Sequence, residues 1–210
     1  MQKGLLLLSG GIDSPVAGHL AKEAGVELCA MHFSAEKIVG NEPLRKSVEA
    51  CKLLGIKKMF VADIGDELVE ITKQCDLRYY FLLSKRLMMK ASEKVARQNG
   101  IDFLITGENL GQVSSQTLPN LGIIDKSVGL FIARPLLCFD KLEIIRLAEK
   151  IGTFEISKGP ELCDALGPRH PVTKGNLAAA EAEEKNLETE KMLGNVVAKV
   201  KEIDVSTYHP

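Results

Sequence analysis

Tryptophan is absent from the 210 residues, and aromatic side chains make up only 5% of them. A platform that binds nucleic acid by stacking bases on aromatic rings is therefore not expected. Neither sign of charge dominates: 27 Lys and Arg stand against 28 Asp and Glu, a net charge of -1. That balance excludes coating nucleic acid by bulk charge and leaves only a local basic face. Long apolar runs are missing as well. The run near the start is Leu5–Leu8, far short of the ~18–20 residues that cross a bilayer. It runs straight into Ser9-Gly10-Gly11 without the cleavage site of a signal peptide. The expectation is a cytoplasmic protein with no membrane association. The five cysteines, Cys29, Cys51, Cys75, Cys138 and Cys163, are odd in number and none forms a C-x-x-C pair. They read as reduced thiols rather than a disulfide framework.

What is present is alternation. Short apolar runs at Gly4–Leu8, Val26–Phe33, Met59-Phe60-Val61, Ile101–Thr106 and Leu130–Leu136 read as strands. Pro135 weakens the last of them. Between them lie amphipathic stretches that begin at Pro15, Pro43, Glu67 and the Asp140/Glu143 capping pair, and end at glycines or Asn99. This pattern predicts an α/β fold: a doubly wound, mostly parallel five-stranded sheet with helices on both faces. Residues 1–175 form the expected domain. Residues 176–204, rich in Ala, Glu and Lys, are expected to form a C-terminal helix packed on it or extending from it, and 205–210 a frayed tail. Ligands of such folds bind at the carboxyl ends of the strands, so the residues after each strand carry the function.

The first strand ends in Ser9-Gly10-Gly11-Ile12-Asp13-Ser14, and Pro15 opens a helix. Two glycines let the backbone approach a ligand, while N–H groups, two hydroxyls and a helix N-terminus converge. This is an anion site suited to pyrophosphate. It lacks the lysine of G-x-x-x-x-G-K-[ST] and is a different phosphate loop. Gly107 also follows a strand, and taken alone reads equally as a turn residue. His32, alone, is more often a structural residue than a ligand contact. Between Lys73 and Arg97, seven basic residues (Lys73, Arg78, Lys85, Arg86, Lys90, Lys94, Arg97) face two acids, Asp76 and Glu93. Such a face is either simply solvated or steers ATP or RNA. Cys29 and Cys51 are expected to be buried and inert. Cys163 sits in a proline-bounded loop near Arg169 and His170, cations that favour a thiolate. Cys163 and His170 lack a second ligand pair, so no zinc site is expected.

The string S-G-G-x-D-S resembles the PP-loop of ATP pyrophosphatases, which release pyrophosphate from ATP and place AMP on a substrate oxygen. Three further strings follow in order: Thr106-Gly107-Glu108-Asn109-Leu110-Gly111-Gln112-Val113-Ser114-Ser115-Gln116-Thr117-Leu118, Arg134-Pro135-Leu136, and Arg169-His170-Pro171-Val172-Thr173-Lys174. With Leu82–Met89 they resemble the PP-loop domain of the tRNA 4-thiouridine synthetase (ThiI) family, from about Leu5 to Lys174. The resemblance implies an adenine nucleotide alpha hydrolase-like fold that uses ATP and Mg2+. It implies that Ser9, Gly10, Gly11, Asp13 and Ser14 hold the phosphates, with Asp13 the essential acid. Leu7 and Leu8 lie at the matching strand end, and His32 and Phe33 match the pair flanking the adenine. Lys85, Gly107 and Gln116 match further nucleotide contacts, and Cys163 the catalytic cysteine.

The implied reaction adenylates a uridine carbonyl oxygen in tRNA and replaces it by sulfur. Full-length members carry a ferredoxin-like and a THUMP domain ahead of this one, and some a rhodanese domain after it. This chain begins at its first strand. The expected partners are therefore tRNA, presented by a separate THUMP protein, and a sulfur donor such as a cysteine desulfurase or rhodanese. Two alternatives stand beside this reading. One is the same adenylation of a small molecule in sulfur or thiamine metabolism; the other is an ATP-binding partner subunit without turnover.

Overall fold

Successive side chains of a strand point to opposite faces of its sheet. Leu5 and Leu6 are both 0% exposed, so the strand that carries them must be covered on both sides. The computed structural model, which describes residues 1–158 and 166–208, places this strand, β1 (Lys3–Leu7), at the centre of a sheet. There follow α1 (Asp13–Glu23), β2 (Glu27–Ser34), α2 (Glu36–Val39), α3 (Glu42–Leu54), β3 (Lys58–Asp63), α4 (Gly65–Gln74), a 3-10 turn at Leu77–Tyr79 and α5 (Tyr80–Gln98). Beyond them come β4 (Phe103–Ile105), a 3-10 turn at Ser114–Gln116, α6 (Leu118–Asp125), β5 (Ile132–Ala133), α7 (Lys141–Lys150) and α8 (Phe154–Ser157). The chain closes with α9 (Leu177–Glu184), α10 (Thr189–Ala198) and β6 (Lys201–Asp204).

The strand order is β5-β4-β1-β2-β3-β6. Strands β1 to β5 are parallel to one another, which gives the doubly wound α/β fold expected from the alternation. After β3 the chain crosses β1 to form β4 on its other side. The strand order thus reverses between β1 and β4, where such sheets open a ligand crevice. Two apolar layers sandwich the sheet. Leu5, Met31, Phe60 and Leu104 meet Leu83, Leu87, Ala91 and Val95 of α5 on one face. Leu6, Ala30, Met59 and Ile105 meet Val16 of α1, Val48 and Cys51 of α3, and Ile144 of α7 on the other.

The C-terminal part corrects the sequence reading. A sixth strand exists, antiparallel to β3, with Ile203 opposite Met59. The single helix expected over 176–204 is two helices followed by that strand. An edge strand reading Lys-Glu-Ile-Asp has no apolar alternation to betray it, because only Ile203 turns inward among charged neighbours. Nor does the tail fray at Val205, which is 1% exposed and donates its N–H to the Lys57 carbonyl at 2.8 Å. Among the described residues no helix is long and apolar enough to cross a membrane.

Val205→Asp should lower stability by about 3 kcal/mol, because it buries an unpaired carboxylate. Chemical denaturation of the two proteins checks this; a frayed tail would leave the midpoint unchanged.

Candidate active site

The phosphate loop leaves the sheet under tight backbone control. Leu8 keeps a strand-like bond to Met31, its N–H donating to the Met31 carbonyl at 2.8 Å. The Leu8 carbonyl lies 2.8 Å from His32 Nδ1. A carbonyl only accepts, so Nδ1 carries the proton. Ser47 Oγ lies 3.1 Å from the same nitrogen and donates to the Pro43 carbonyl at 2.8 Å. Burial pushes the His32 pKa down to about 4, against the opposing pull of the Leu8 carbonyl. His32 is thus a neutral clamp on the end of β1. Phe33 beside it is half-buried.

The loop itself is braced by its own hydroxyls. Gly11 N–H donates to Ser9 Oγ at 3.2 Å, and Ser9 N–H to Ser14 Oγ at 3.3 Å. Gly10 has φ +83°, and a Cβ there would lie 2.9 Å from the Pro43 carbonyl oxygen, so only glycine fits. Helix α1 begins without a side-chain cap. Its first-turn N–H groups and the positive end of its dipole are therefore left for an anion. Gly107 closes the crevice from the other strand. A Cβ on it would lie 2.6 Å from Ser14 N and 2.7 Å from Ser14 Cα. The exit of β4 thus lies backbone to backbone on the first turn of α1.

Charged groups ring this contact. Asp13 Oδ1 accepts from Lys141 Nζ at 2.6 Å, and Gln112 Oε1 is 3.1 Å from the same ammonium. Gln112 Nε2 is buried without a hydrogen-bond partner among the described residues, a donor facing an unfilled demand. Next to Gly107, Glu108 is buried between two cations. Its Oε1 takes Lys85 Nζ at 2.5 Å; its Oε2 takes Arg134 Nε at 2.8 Å and Thr106 Oγ1 at 3.1 Å. Burial alone would raise the Glu108 pKa, but Lys85 and Arg134 hold it at about 2. Lys85 is therefore aimed by a permanently ionised partner. Gln116 Oε1 accepts from the Asn109 N–H at 3.1 Å and ties the same loop together.

Of the residues singled out in the sequence, Leu7, Leu8, Ser9, Gly10, Gly11, Asp13, Ser14, His32, Phe33 and Gly107 gather at the carboxyl ends of β1, β2 and β4. Lys85 and Gln116 join them through Glu108 and Asn109. Cys163 lies outside the described residues. Lys141, Gln112, Glu108 and Arg134 had no assigned role. One signal was legible for Lys141: the Asp140 capping box puts this cation in the first turn of α7, where the helix dipole disfavours it.

Two further readings are corrected. The basic stretch is a solvated face only in part: Lys85, Arg86 and Lys90 are drawn inward onto Glu108 and Glu184. Arg78, Lys94 and Arg97 form exposed pairs, and Lys73 is exposed with no carboxylate partner among the described residues. Arg86 is buried and grips Glu184 through two nitrogens. Cys29 is half-buried rather than buried. Burial raises the thiol pKa of Cys29, of Cys51 to about 12, and of Cys75 to about 11 with help from Glu183 and Glu184. These three are poor nucleophiles at neutral pH.

His32 makes stability pH-dependent. It stays neutral in the fold down to about pH 4, while the unfolded chain protonates it near 6.5. Stability should therefore fall by roughly 3 kcal/mol as pH drops from 6.5 to 4. His32→Asn keeps a donor toward Leu8 without the titration. Unfolding curves across this window should show its slope flatter by one proton.

The family described as "Thiamine biosynthesis protein (ThiI)" matches residues 1–189. The "Probable tRNA sulfurtransferase" of Moorella thermoacetica is 40% identical over 191 residues, covering 88% of this chain and 49% of the relative. That of Caldanaerobacter subterraneus subsp. tengcongensis is 41% identical over 207 residues, covering 96% and 54%. The chain thus spans about half the length of the curated relatives it matches. A solved structure described as a "4-thiouridine synthetase - RNA complex with bound ATP" superposes with a TM-score of 0.90 at 32% identity, over 97% of this chain and 55% of that one. The NMN synthetase from Francisella tularensis, at TM-score 0.59 and 17% identity over 94% of this chain and 77% of its own, shares the fold alone. The family match runs from β1 through the phosphate loop and Gly107 to the start of α10, and the chain belongs to the ThiI family.

Proposed function

We propose that the crevice between β1 and β4 binds ATP and adenylates a carbonyl oxygen of a tRNA uridine, which sulfur then replaces. The carrying observation is the uncapped start of α1, braced by Ser9 and Ser14 and closed by Gly107, with Lys141 and Lys85 beside it. The relatives' names and the RNA and ATP of the similar complex support the substrates.

The uridine oxygen attacks the α-phosphorus, the bond to the bridging oxygen breaks, and pyrophosphate leaves. Negative charge grows on the leaving group, where the loop N–H groups and the two lysines can meet it. Lys141 exchanges Asp13 for phosphate, which frees the Asp13 carboxylate. One carboxylate next to a polyphosphate fits Mg2+, which commonly takes one or two protein carboxylates and completes its shell with phosphates and water. When bound, the ion would neutralise charge on the phosphates.

Cys163 is the proposed persulfide carrier, loaded by a separate donor such as a cysteine desulfurase or rhodanese. Its sulfur attacks the adenylated carbon and AMP departs; a further thiol cleaves the sulfur–sulfur bond. The described residues on either side support this. The Lys158 carbonyl is held by Lys46 Nζ at 3.1 Å, in the first turns of α3. Gly167 lies on the Phe81 ring, one helical turn before Lys85. A separate THUMP protein is the proposed presenter of the tRNA, and the cytoplasm the proposed compartment. The family description favours one second reading, the same adenylation of a small molecule in thiamine metabolism.

Pyrophosphate release from ATP with unmodified tRNA tests the first reading. Asp13→Asn should reduce it at least ~100-fold, because a charged group at the reacting phosphates is lost. Gly107→Ala should weaken ATP binding at least ~10-fold by displacing the first turn of α1 while far-UV circular dichroism is preserved. Cys163→Ser should still release pyrophosphate and form no thiouridine. Release that depends on a small thiamine precursor, and not on tRNA, would select the second reading.

A further inference from the structure

The string Arg169-His170-Pro171-Val172-Thr173-Lys174 takes no part in the crevice described above, yet the fold holds it firmly. Val172 N–H donates to the Arg78 carbonyl at 2.9 Å, and Asn120 Nδ2 donates to the Val172 carbonyl at 2.8 Å. Thr117 Oγ1 donates to the Thr173 carbonyl at 2.6 Å, and Gly175 N–H to Asn120 Oδ1 at 2.9 Å. Asn120 is 0% exposed. A fully buried amide thus ties the loop to the rest of the fold: Nδ2 also donates to the Ser114 carbonyl at 2.9 Å, and its two other bonds go to the loop backbone. The apolar Pro171 and Val172 are half-buried, whereas Arg169, His170 and Lys174 are exposed. Among the described residues neither Arg169 nor Lys174 has a carboxylate within ion-pair distance. The cations from Arg78 to Arg97 each pair with a carboxylate; these two stand on an anchored backbone with no acid partner among the described residues.

Their place fits a macromolecular substrate. The start of α5 lies at the carboxyl edge of the sheet, because Lys85 meets Glu108 just after β4. The loop hangs from the turn before α5 through Arg78 and from Thr117, the residue after Gln116. It therefore forms a wall on the approach to the nucleotide crevice. We propose that this loop is a clamp for the sugar-phosphate backbone of the substrate RNA, with Arg169 and Lys174 each taking a phosphate. The guanidinium fork suits a phosphate bidentately, and the ammonium serves as a point charge. Such contacts fix the register of an RNA without reading its sequence. The proposal rests on the reading that the acceptor is RNA.

The test is the affinity of the whole chain for an unmodified tRNA, followed by fluorescence anisotropy from low to physiological salt. Arg169→Ala with Lys174→Ala should weaken binding about tenfold at low salt. It should also lower the slope of log affinity against log salt by about 1.5, at ~0.7–0.9 per phosphate lost. ATP affinity should be unchanged, which shows that the fold survives. The charge-conserving pair Arg169→Lys with Lys174→Arg should keep the wild-type slope. Wild-type affinity and slope in the double alanine variant overturn the clamp and leave the RNA reading standing. If the wild-type chain binds no RNA at low salt, the clamp is overturned, while the RNA reading stands or falls on tRNA-dependent pyrophosphate release. If the variant binds RNA normally but accepts sulfur poorly from a persulfide-loaded cysteine desulfurase, the loop serves a protein and the clamp is wrong.

Discussion

The crevice exists because the backbone of Gly107 lies on the first turn of α1, closer than any side chain would permit. Strands β1 and β4 pair in register from Gly4 and Phe103 to Leu6 and Ile105, so their two exits are carried to the same height. On one side the chain turns into Ser9–Ser14; on the other it passes Thr106 and Gly107 to reach Glu108. That single approach sets the distance between the phosphate loop and the carboxylate that aims Lys85. Burying Glu108 costs several kcal/mol before its partners offset it. With Lys85 on one oxygen and Arg134 on the other, both are engaged. The gain lies in direction more than in stability: the ammonium of a long, flexible side chain is held at one point of the wall.

The electrostatics have the character of a site waiting for an anion. The start of α1 is uncapped, and Gln112 keeps a buried N–H without a partner among the described residues. A lysine stands at the positive end of α7 and is held there by Asp13. These are the groups that a bound polyphosphate would engage together. His32 completes the arrangement from below. Its neutrality at physiological pH keeps a second positive charge out of the buried strand end, while its N–H fixes the Leu8 carbonyl.

How much of this was legible in the sequence depended on range. The parallel strands announced themselves as apolar runs, since a strand buried on both faces must be apolar throughout. The phosphate loop was legible because glycines, hydroxyls and a helix start occupy six consecutive residues. Strand β6 was not, because an edge strand with one inward side chain looks like polar coil, and an Ala/Glu/Lys-rich run conceals where one helix stops and the next begins. The partners of charged residues were the least legible. Arg86 and Glu184 are 98 residues apart, and Asp13 and Lys141 are 128 apart. No local pattern announces such pairs, so the inward half of a basic stretch, Lys85, Arg86 and Lys90, is paired in the fold where the sequence shows only charge.

That pairing explains how a chain of net charge -1 can address anionic ligands. Screening confines the field of exposed charges to about 8 Å at physiological ionic strength, so the overall sum says little about any one face. What matters is which cations are committed. Arg86 and Lys90 are bound to Glu184 beneath α9, where they serve packing. Lys141 is bound to Asp13 but half-exposed, so a phosphate can exchange for the carboxylate. Among the described residues Arg169 and Lys174 have no acid to leave. An exchangeable lysine at the phosphate loop and those two cations on the loop beside it let an anion meet positive charge locally, although the molecule as a whole is near neutral.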